Sequence, residues 1–447
     1  MSQAPFATVA SLRRSPDARR LAAWILGALV LAVMTGPSGN TSSPTSGFTG
    51  SLLHPRVLGY LAFGVVMWAL STARVRSRDR MTSATRGINE LRTRLMSDKK
   101  VRYSSYLVML AVAIVGPTVL NSFWQEVLVD QVGIFVLLAV GLNVVVGYAG
   151  LLDLGYIAFY AIGAYSAAYW TGALPVQPLF HLNPFYVIPM AILACVLAGV
   201  VLGVPTLRLR GDYLAIVTLG FGEIISIVAT NLGSVTGGAQ GVIGIPHFSV
   251  HVSSLHYKWG LSNLPYYYLL LAFVVIVLVA FRSLENSRVG RALAAIREDE
   301  VAAEASGVGV LKYKVMAFAI GASTSGFAGL LYASKISFVA PGDFTVQLSI
   351  LILVLVTFGG MGSLPGAVLG AAVLQWAPEF LRDHPILGFQ QQDIYIYLGA
   401  LLVVMMIFRP AGIWPSRRRR RELALAEEGV GTADAMSGSS DPAAGPG

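Results

Sequence analysis

The sequence contains few charged residues and almost no cysteine. Of its 447 residues, 12% are charged and one is cysteine, whereas 55% are hydrophobic. A soluble globular domain has about 25% charged residues, so this composition predicts that most of the chain lies in a lipid bilayer. The single cysteine, Cys195, stands inside an apolar run, which excludes a disulfide framework and a cysteine-rich metal site.

A phosphate-binding loop is also missing. The sequence has no G-x-x-x-x-G-K-[ST] motif and no Gly-Lys dipeptide at any position. Such a motif is what allows a loop to hold the phosphates of a nucleotide. We therefore expect that the chain binds no ATP and no other cofactor, and that any ATP-driven work is done by another polypeptide.

Residues for catalysis and for metal binding are scarce. The six histidines all fall in predicted loops and not in apolar runs: His54, His181, His247, His251, His256 and His384. Their positions exclude an intramembrane metalloprotease and a protease with an intramembrane Ser/His pair. The spacing of His247, His251 and His256 suits either a metal site or an ordinary solvated loop. We expect no catalytic residues, no metal and no enzymatic activity.

Long apolar runs recur along the whole chain. Each approaches the roughly 20 residues that a helix needs to span a bilayer, and only helices satisfy their own backbone hydrogen bonds there. Because several runs are short or broken at glycines, we predict an all-α polytopic integral membrane protein with about 10–12 transmembrane segments. The candidate spans are 21–35, 57–71, 106–120, 132–147, 151–170, 186–203, 214–229, 266–281, 315–332, 348–360, 365–377 and 394–408.

The basic residues predict the orientation in the membrane. They gather in the loop 74–102 and directly after the last span, at 417–421, and both places are therefore expected in the cytoplasm. Counting spans from there puts the segment 282–314 and both termini in the cytoplasm as well. The loop 231–265 is nearly free of Lys and Arg and is expected outside. The net charge of +9 thus predicts contact with lipid headgroups and not with nucleic acid.

Glycines and isolated polar residues interrupt the predicted helices. We expect these positions to line a translocation path or to break a helix. Two questions stay open at this stage. Asp153 either caps the helix after the break or lines the path, and Glu223 either pairs with Arg208 or Arg210 or faces the path. The full set is Asn143, Gly147, Gly150, Asp153, Gly155, Glu223, Gly360 and Gly362.

A stretch rich in helix formers lies in the predicted cytoplasmic segment. Residues 291–314 read RALAAIREDEVAAEASGVGVLKYK, and the alanines end at Gly307. This pattern predicts a short helix followed by a turn, because glycine commonly ends a helix.

Five blocks in order along the chain resemble the larger permease subunit of high-affinity branched-chain amino acid ABC importers. They read GLNVVVGYAGLLDLGYIAFYAIGAYS (141–166), LRLRGDYLAIVTLGFGEI (207–224), GRALAAIREDEVAAEASGV (290–308), FGGMGSLPGAVLGA (358–371) and FRPAGIWP (408–415). The resemblance implies a permease core at 106–415, an N-terminal extension with two membrane helices at 1–105, and a basic, then disordered cytoplasmic tail at 416–447. It also implies a bacterial plasma (inner) membrane location.

The same resemblance implies partners. These are a second, smaller permease, two cytoplasmic ATPase subunits that use the ATP, and an extracytoplasmic binding protein that delivers the substrate. The segment that meets the ATPases carries Glu-Ala-Ala, three residues and Gly in such importers. Here Val301 stands at the Glu position. The implied coupling residues are Arg297, Glu298, Asp299, Glu300, Ala302, Ala303 and Gly307.

Two alternatives remain at this stage. Permeases that look like this one also serve urea or short amides, so the solute class is open. An ion-coupled secondary transporter is the alternative of another mechanistic class, and it would use intramembrane carboxylates such as Asp153 and Glu223.

Overall fold

The computed structural model of the chain describes residues 110–207, 209, 212–252, 255–260, 262–383, 399, 405 and 412–416. The N-terminal extension, the spans predicted at 21–35 and 57–71, and almost all of the span at 394–408 and of the tail lie outside the described residues.

Helices dominate the described part of the chain. They are α1 (Leu110–Val119), α2 (Ser122–Tyr148), α3 (Tyr156–Trp170), α4 (Pro184–Thr206), α5 (Asp212–Asn231), α6 (Gly233–Thr236), α7 (Asn263–Glu285), α8 (Arg288–Glu298), α9 (Glu300–Ala305), α10 (Val310–Ile336), α11 (Val346–Gly359) and α12 (Leu364–Asp383). Helix α2 contains two π-helical turns, Val127–Gly133 and Asn143–Tyr148.

Six of these helical stretches are long and apolar enough to cross a membrane. They are Ser122–Tyr148, Pro184–Thr206, Tyr213–Asn231, Asn263–Glu285, Val310–Ile336 and Pro341–Gly359, the last of which includes the 3₁₀ turn Pro341–Asp343 before α11. The predicted all-α polytopic membrane fold is therefore confirmed.

Two small antiparallel sheets accompany the helices. Strand β1 (Val242–Ile243) pairs with β4 (Phe338–Val339), and β2 (Ser249–Val252) pairs with β3 (Leu255–Lys258). The second pair is a hairpin within the segment that the sequence predicts only as an outer loop. Its strands of four residues are too short for their alternation to distinguish a strand from a loop. His251 and His256 are paired in its backbone register.

The core forms where α3 and α10 approach backbone to backbone. A Cβ at Gly163 would overlap the backbone of Gly326, and a Cβ at Gly329 would overlap the backbone of Tyr160. Cys195 of α4 fills the space beside Gly326 and donates from Sγ to the Phe159 carbonyl at 3.3 Å. Small residues thus allow the close helix contacts expected in a membrane bundle, and Cys195 is a buried packing residue.

Candidate functional site

A break in the helical chain separates α2 from α3. Helix α2 ends at Tyr148 and α3 begins at Tyr156, with residues 149–155 non-helical between them. The sequence predicts the span here from residue 151, so its helical part starts five residues later than expected. The turn is closed by a hydrogen bond from the Leu151 amide to the Val145 carbonyl at 3.1 Å. The structure therefore places the predicted glycine-rich segment at a helix break.

Asp153 organises the second half of this break. Its side chain is buried, and Oδ1 accepts from the Gly155 amide at 2.9 Å, immediately before α3. The adjacent Leu154 amide donates to Oγ1 of Thr218 in α5 at 3.1 Å. A Cβ at Gly155 would overlap the Thr218 carbonyl. Asp153 thus forms an Asx turn directly before α3, whose N-cap residue is Gly155 and which has no side-chain hydrogen bond at its cap.

Asn143 connects the first half of the break to the turn after α11. It is fully buried in the last π-helical turn of α2, and its Oδ1 accepts from the Gly362 amide at 2.8 Å. A Cβ at Gly147 would lie 2.5 Å from the same amide. The two glycine-rich segments, which are distant in the sequence, therefore meet backbone to backbone.

The turn after α11 is itself held by the last described segment of the chain. Gly360 ends the helix with φ of 119°, a conformation that other residues rarely adopt. The amides of Ile413 and Trp414 donate to the carbonyls of Phe358 and Gly359, each at 2.9 Å. Backbone amides from residues 413–414 thus satisfy terminal carbonyls of α11, which have no partner within the helix.

Arg297 joins the membrane helices to α8. It lies in the last turn of α8, and its guanidinium donates to the Gly147 carbonyl. A Cβ at Gly150 would lie 2.9 Å from Cγ of Arg297, and a Cβ at Gly362 would lie 2.8 Å from Nη1. The sequence places Arg297 with the coupling residues and the glycines with the helix break. The structure brings them together, and no sequence signal pairs residues this far apart.

We call this arrangement the Arg297 junction: Asn143, Gly147, Gly150, Arg297 and Gly362. A cavity of about 460 Å³ opens beside it, with Leu214, Glu298, Glu300 and Lys314 among its lining residues. Lys314 is buried and lies 2.7 Å from the Glu300 carboxylate. The sequence does not single out Lys314, because this residue directly precedes the span predicted from residue 315.

The remaining predicted coupling residues form a bent pair of helices. The sequence predicts one short helix here, whereas the structure has two, α8 and α9. Asp299 causes the bend, since its backbone is extended and its Oδ1 accepts from the amides of Val301 at 2.8 Å and Ala302 at 3.0 Å. The side chain therefore caps α9 at its first turn.

The surface of α8 and α9 divides into a packed and an exposed side. Ala303 is buried, whereas Glu298, Ala302 and Val301 are exposed, Val301 at 62%. Gly307 has φ of 82° and ends α9. It donates to the Glu304 carbonyl at 2.9 Å, while the Val308 amide reaches the Ala303 carbonyl at 3.0 Å. This pair of bonds is the Schellman arrangement, which uses glycine at this position.

Glu223 lies apart from the other predicted site residues. It is exposed on α5. A Cβ at Gly220, one turn earlier, would meet no atom within 4 Å. The predicted partners Arg208 and Arg210 lie outside the described residues. Helix α5 thus presents a carboxylate and a small residue on a surface that the described part of this chain does not cover.

Further polar residues occur in the spans at the end of the bundle away from α8. Lys335 is buried and donates from Nζ to Oδ1 of Asn263 at 2.8 Å, and Gln131 donates to Oε1 of Glu379 at 3.0 Å. Lys335 is not among the predicted site residues, because the predicted span ends at residue 332, one turn too early. These contacts join α7 to α10 and α2 to α12.

Comparison with known proteins relates the chain to bacterial transport systems. Residues 126–408 match the family described as branched-chain amino acid transport system / permease component. The permease protein LivM of a high-affinity branched-chain amino acid transport system from Escherichia coli is 39% identical over 341 residues, which cover 72% of this chain and 77% of that protein. LivM of Salmonella typhimurium is 37% identical over 335 residues, covering 71% and 76%.

A more distant relative carries a different name in the same bacterium. The permease protein LivH of Salmonella typhimurium is 23% identical over 288 residues, covering 62% of this chain and 90% of that protein. No solved structure matches the chain. The extent of the family match and the identity to LivM show that the chain belongs to the permease components of branched-chain amino acid transport systems.

Proposed function

We propose that this chain is the larger of two different permease subunits of an ABC importer and that it forms part of the path for branched-chain amino acids. The observation that carries the proposal is the Arg297 junction. It connects α8 and α9, which stand outside the long apolar helices, to a break within them. A chain without a nucleotide-binding loop needs such a connection to receive work from a separate ATPase.

The proposed partners follow from this role. Two cytoplasmic ATPase subunits contact the exposed side of α8 and α9, where Val301 and Ala302 lie beside the acidic residues Glu298 and Glu304. A second, smaller permease completes the membrane unit, in line with the two permease names among the relatives of one bacterium. An extracytoplasmic binding protein delivers the substrate. In this proposal, α8 and α9 lie on the cytoplasmic side of the membrane. Both chain termini lie on the same side.

The proposed path runs along the exposed face of α5. A charged residue within a membrane helix is costly when it faces lipid, so it normally faces a water-filled space or another protein. Glu223 is such a residue. A path beside it would offer a negative charge to the ammonium group that every amino acid carries and that urea and short amides lack.

Reconstitution of the complete complex tests the proposal. The purified permease pair, ATPases and binding protein are placed in proteoliposomes, and uptake of labelled leucine, isoleucine, valine, urea and acetamide is measured with ATP and with ion gradients. We expect uptake of the three amino acids only with ATP, ATPases and binding protein together. Uptake driven by an ion gradient without ATP would overturn the ABC importer, and uptake of urea or acetamide alone would overturn the substrate class.

A further inference from the structure

The C-terminal end of α2 carries carbonyl groups that have no hydrogen-bond donor within the helix. The last four carbonyls of any α-helix have no intrahelical donor. The amide of Leu151, which follows the turn, reaches the Val145 carbonyl. The Gly147 carbonyl receives instead the guanidinium of Arg297, which comes from a different helix 150 residues later in the sequence. Arg297 therefore caps the end of α2 from outside.

The charge of Arg297 suits this position. A helix carries a partial negative charge at its C-terminal end, and a cation placed there is stabilising. The guanidinium also holds several donors in a fixed plane, which defines the orientation of the contact better than a single ammonium does. The contact thus fixes α8 relative to the last turn of α2.

Three glycines leave room for the side chain of Arg297. The aliphatic part passes Gly150, and the guanidinium lies between Gly147 and Gly362. Asn143 holds Gly362 in place through its amide. A side chain at any of the three glycine positions would occupy space that Arg297 or its neighbours fill. Arg297 is otherwise exposed, so its hydrogen bond to the Gly147 carbonyl and its contacts with these glycines are what join it to the end of α2.

Helix α8 is positioned so that its movement would be transmitted through the Arg297 contact. Leu293 and Ile296 are buried on its packed side, and the capped bend at Asp299 separates it from α9. We infer that Arg297 is a positioning residue that transmits displacement of α8 to the break between α2 and α3. This inference rests on the proposed function, because it assigns the connection between the ATPase contact and the membrane path to one side chain.

Two methionine substitutions of basic residues test it. Arg297→Met keeps an unbranched side chain beside Gly150 but removes the charge and the donors. Lys312→Met is the control, because Lys312 is exposed at the start of α10, outside the surface of α8 and α9 that the proposal assigns to the ATPases. In proteoliposomes with the complete complex, the measured quantity is labelled leucine taken up per ATP hydrolysed, normalised to assembled complex.

We expect R297M to lower uptake per ATP by about fivefold or more while ATP hydrolysis continues, and K312M to match the wild type. R297K, which keeps a charge, should fall between them. A wild-type ratio in R297M overturns the inference, as does a loss of uptake and hydrolysis in equal proportion. If R297M does not assemble, R297Q decides in the same assay, with a lowered ratio supporting the inference and a wild-type ratio overturning it. If the proposed function itself is wrong, the wild-type complex shows no ATP-driven uptake, and this result is distinct from every outcome described for the variants.

Discussion

The ammonium of Lys314, at the start of α10, lies 2.7 Å from the carboxylate of Glu300, the first residue of α9. Lys314 is 4% exposed at its side chain and Glu300 is 35% exposed. The pair therefore fastens the proposed ATPase contact to a long membrane helix, and its two members differ in hydration. That difference makes the effects of removing each partner unequal.

Removing Glu300 should destabilise the protein more than removing Lys314. Glu300→Gln leaves a buried ammonium without its carboxylate and should cost about 1–3 kcal/mol, reduced by the partial hydration of the pair. Lys314→Met leaves only a carboxylate that water already reaches. The unfolding temperature of the detergent-solubilised complex measures both. Glu285→Gln, at an exposed carboxylate of α7 outside the proposed ATPase contact, is the control and should be neutral. A larger decrease of the unfolding temperature in K314M than in E300Q would contradict this account.

Substitutions at Gly307 distinguish an effect on the backbone conformation from an effect on ATPase docking. Its φ of 82° should cost an alanine about 1–2 kcal/mol, and tryptophan about the same, because no atom lies within 4 Å of a Cβ there. If the ATPases cover this turn, Gly307→Trp should reduce their copurification well below the level seen with Gly307→Ala. Asparagine tolerates the left-handed conformation and should be nearly neutral. Equal copurification of the Trp and Ala variants would argue against a covered turn.

The positions of two predicted membrane spans agree with the structure, although their ends do not, because the apolar run alone determines where such a span lies. The predicted span 266–281 lies within α7, Asn263–Glu285, and the span 315–332 lies within α10, Val310–Ile336. In both cases a long apolar run is ended by polar or charged residues. Asp153 is also a residue type that forms turns next to helices, but the start of α3 at Tyr156 is defined only by the turn that its side chain makes with the Gly155 amide.

The Arg297 junction could not be predicted in this way. Periodicity and capping describe residues that are near in sequence. Asn143 and Gly362, which are in contact, are 219 residues apart in the sequence, and Arg297 and Gly147 are 150 residues apart. Glycines at 147, 150 and 362 indicate only that another part of the protein approaches the backbone closely at these positions. The identity of the approaching side chain depends on how the helices pack. The bend at Asp299 was missed for a related reason, because the same aspartate is also compatible with a helix end.

The hairpin formed by β2 and β3 should be accessible from outside the cell. The loop 231–265 has a single basic residue, Lys258, as expected for a translocated segment. Tyr257→Cys and Lys258→Cys, both at exposed positions, should react in intact cells with an impermeant thiol reagent in a Cys195→Ala background. Lys312→Cys, at an exposed position near the start of α10 and outside the proposed ATPase contact, is the control and should react only after the membrane is opened. The reverse pattern of labelling would invert the proposed orientation.

Glu223 provides the last prediction, on substrate recognition. A hydrogen bond to a charged group contributes about 1.5–3 kcal/mol, so Glu223→Gln should slow leucine uptake about tenfold or more if the carboxylate meets the ammonium of the substrate. Glu223→Asp should retain more of the rate because it keeps the charge. Ile227→Gln places the same amide one turn further along the exposed face of α5 and serves as the control. Initial rates are measured together with ATP hydrolysis and copurification of the second permease. Loss of the second permease in E223Q would instead assign Glu223 to the subunit interface, because a residue that only lines the path leaves assembly intact.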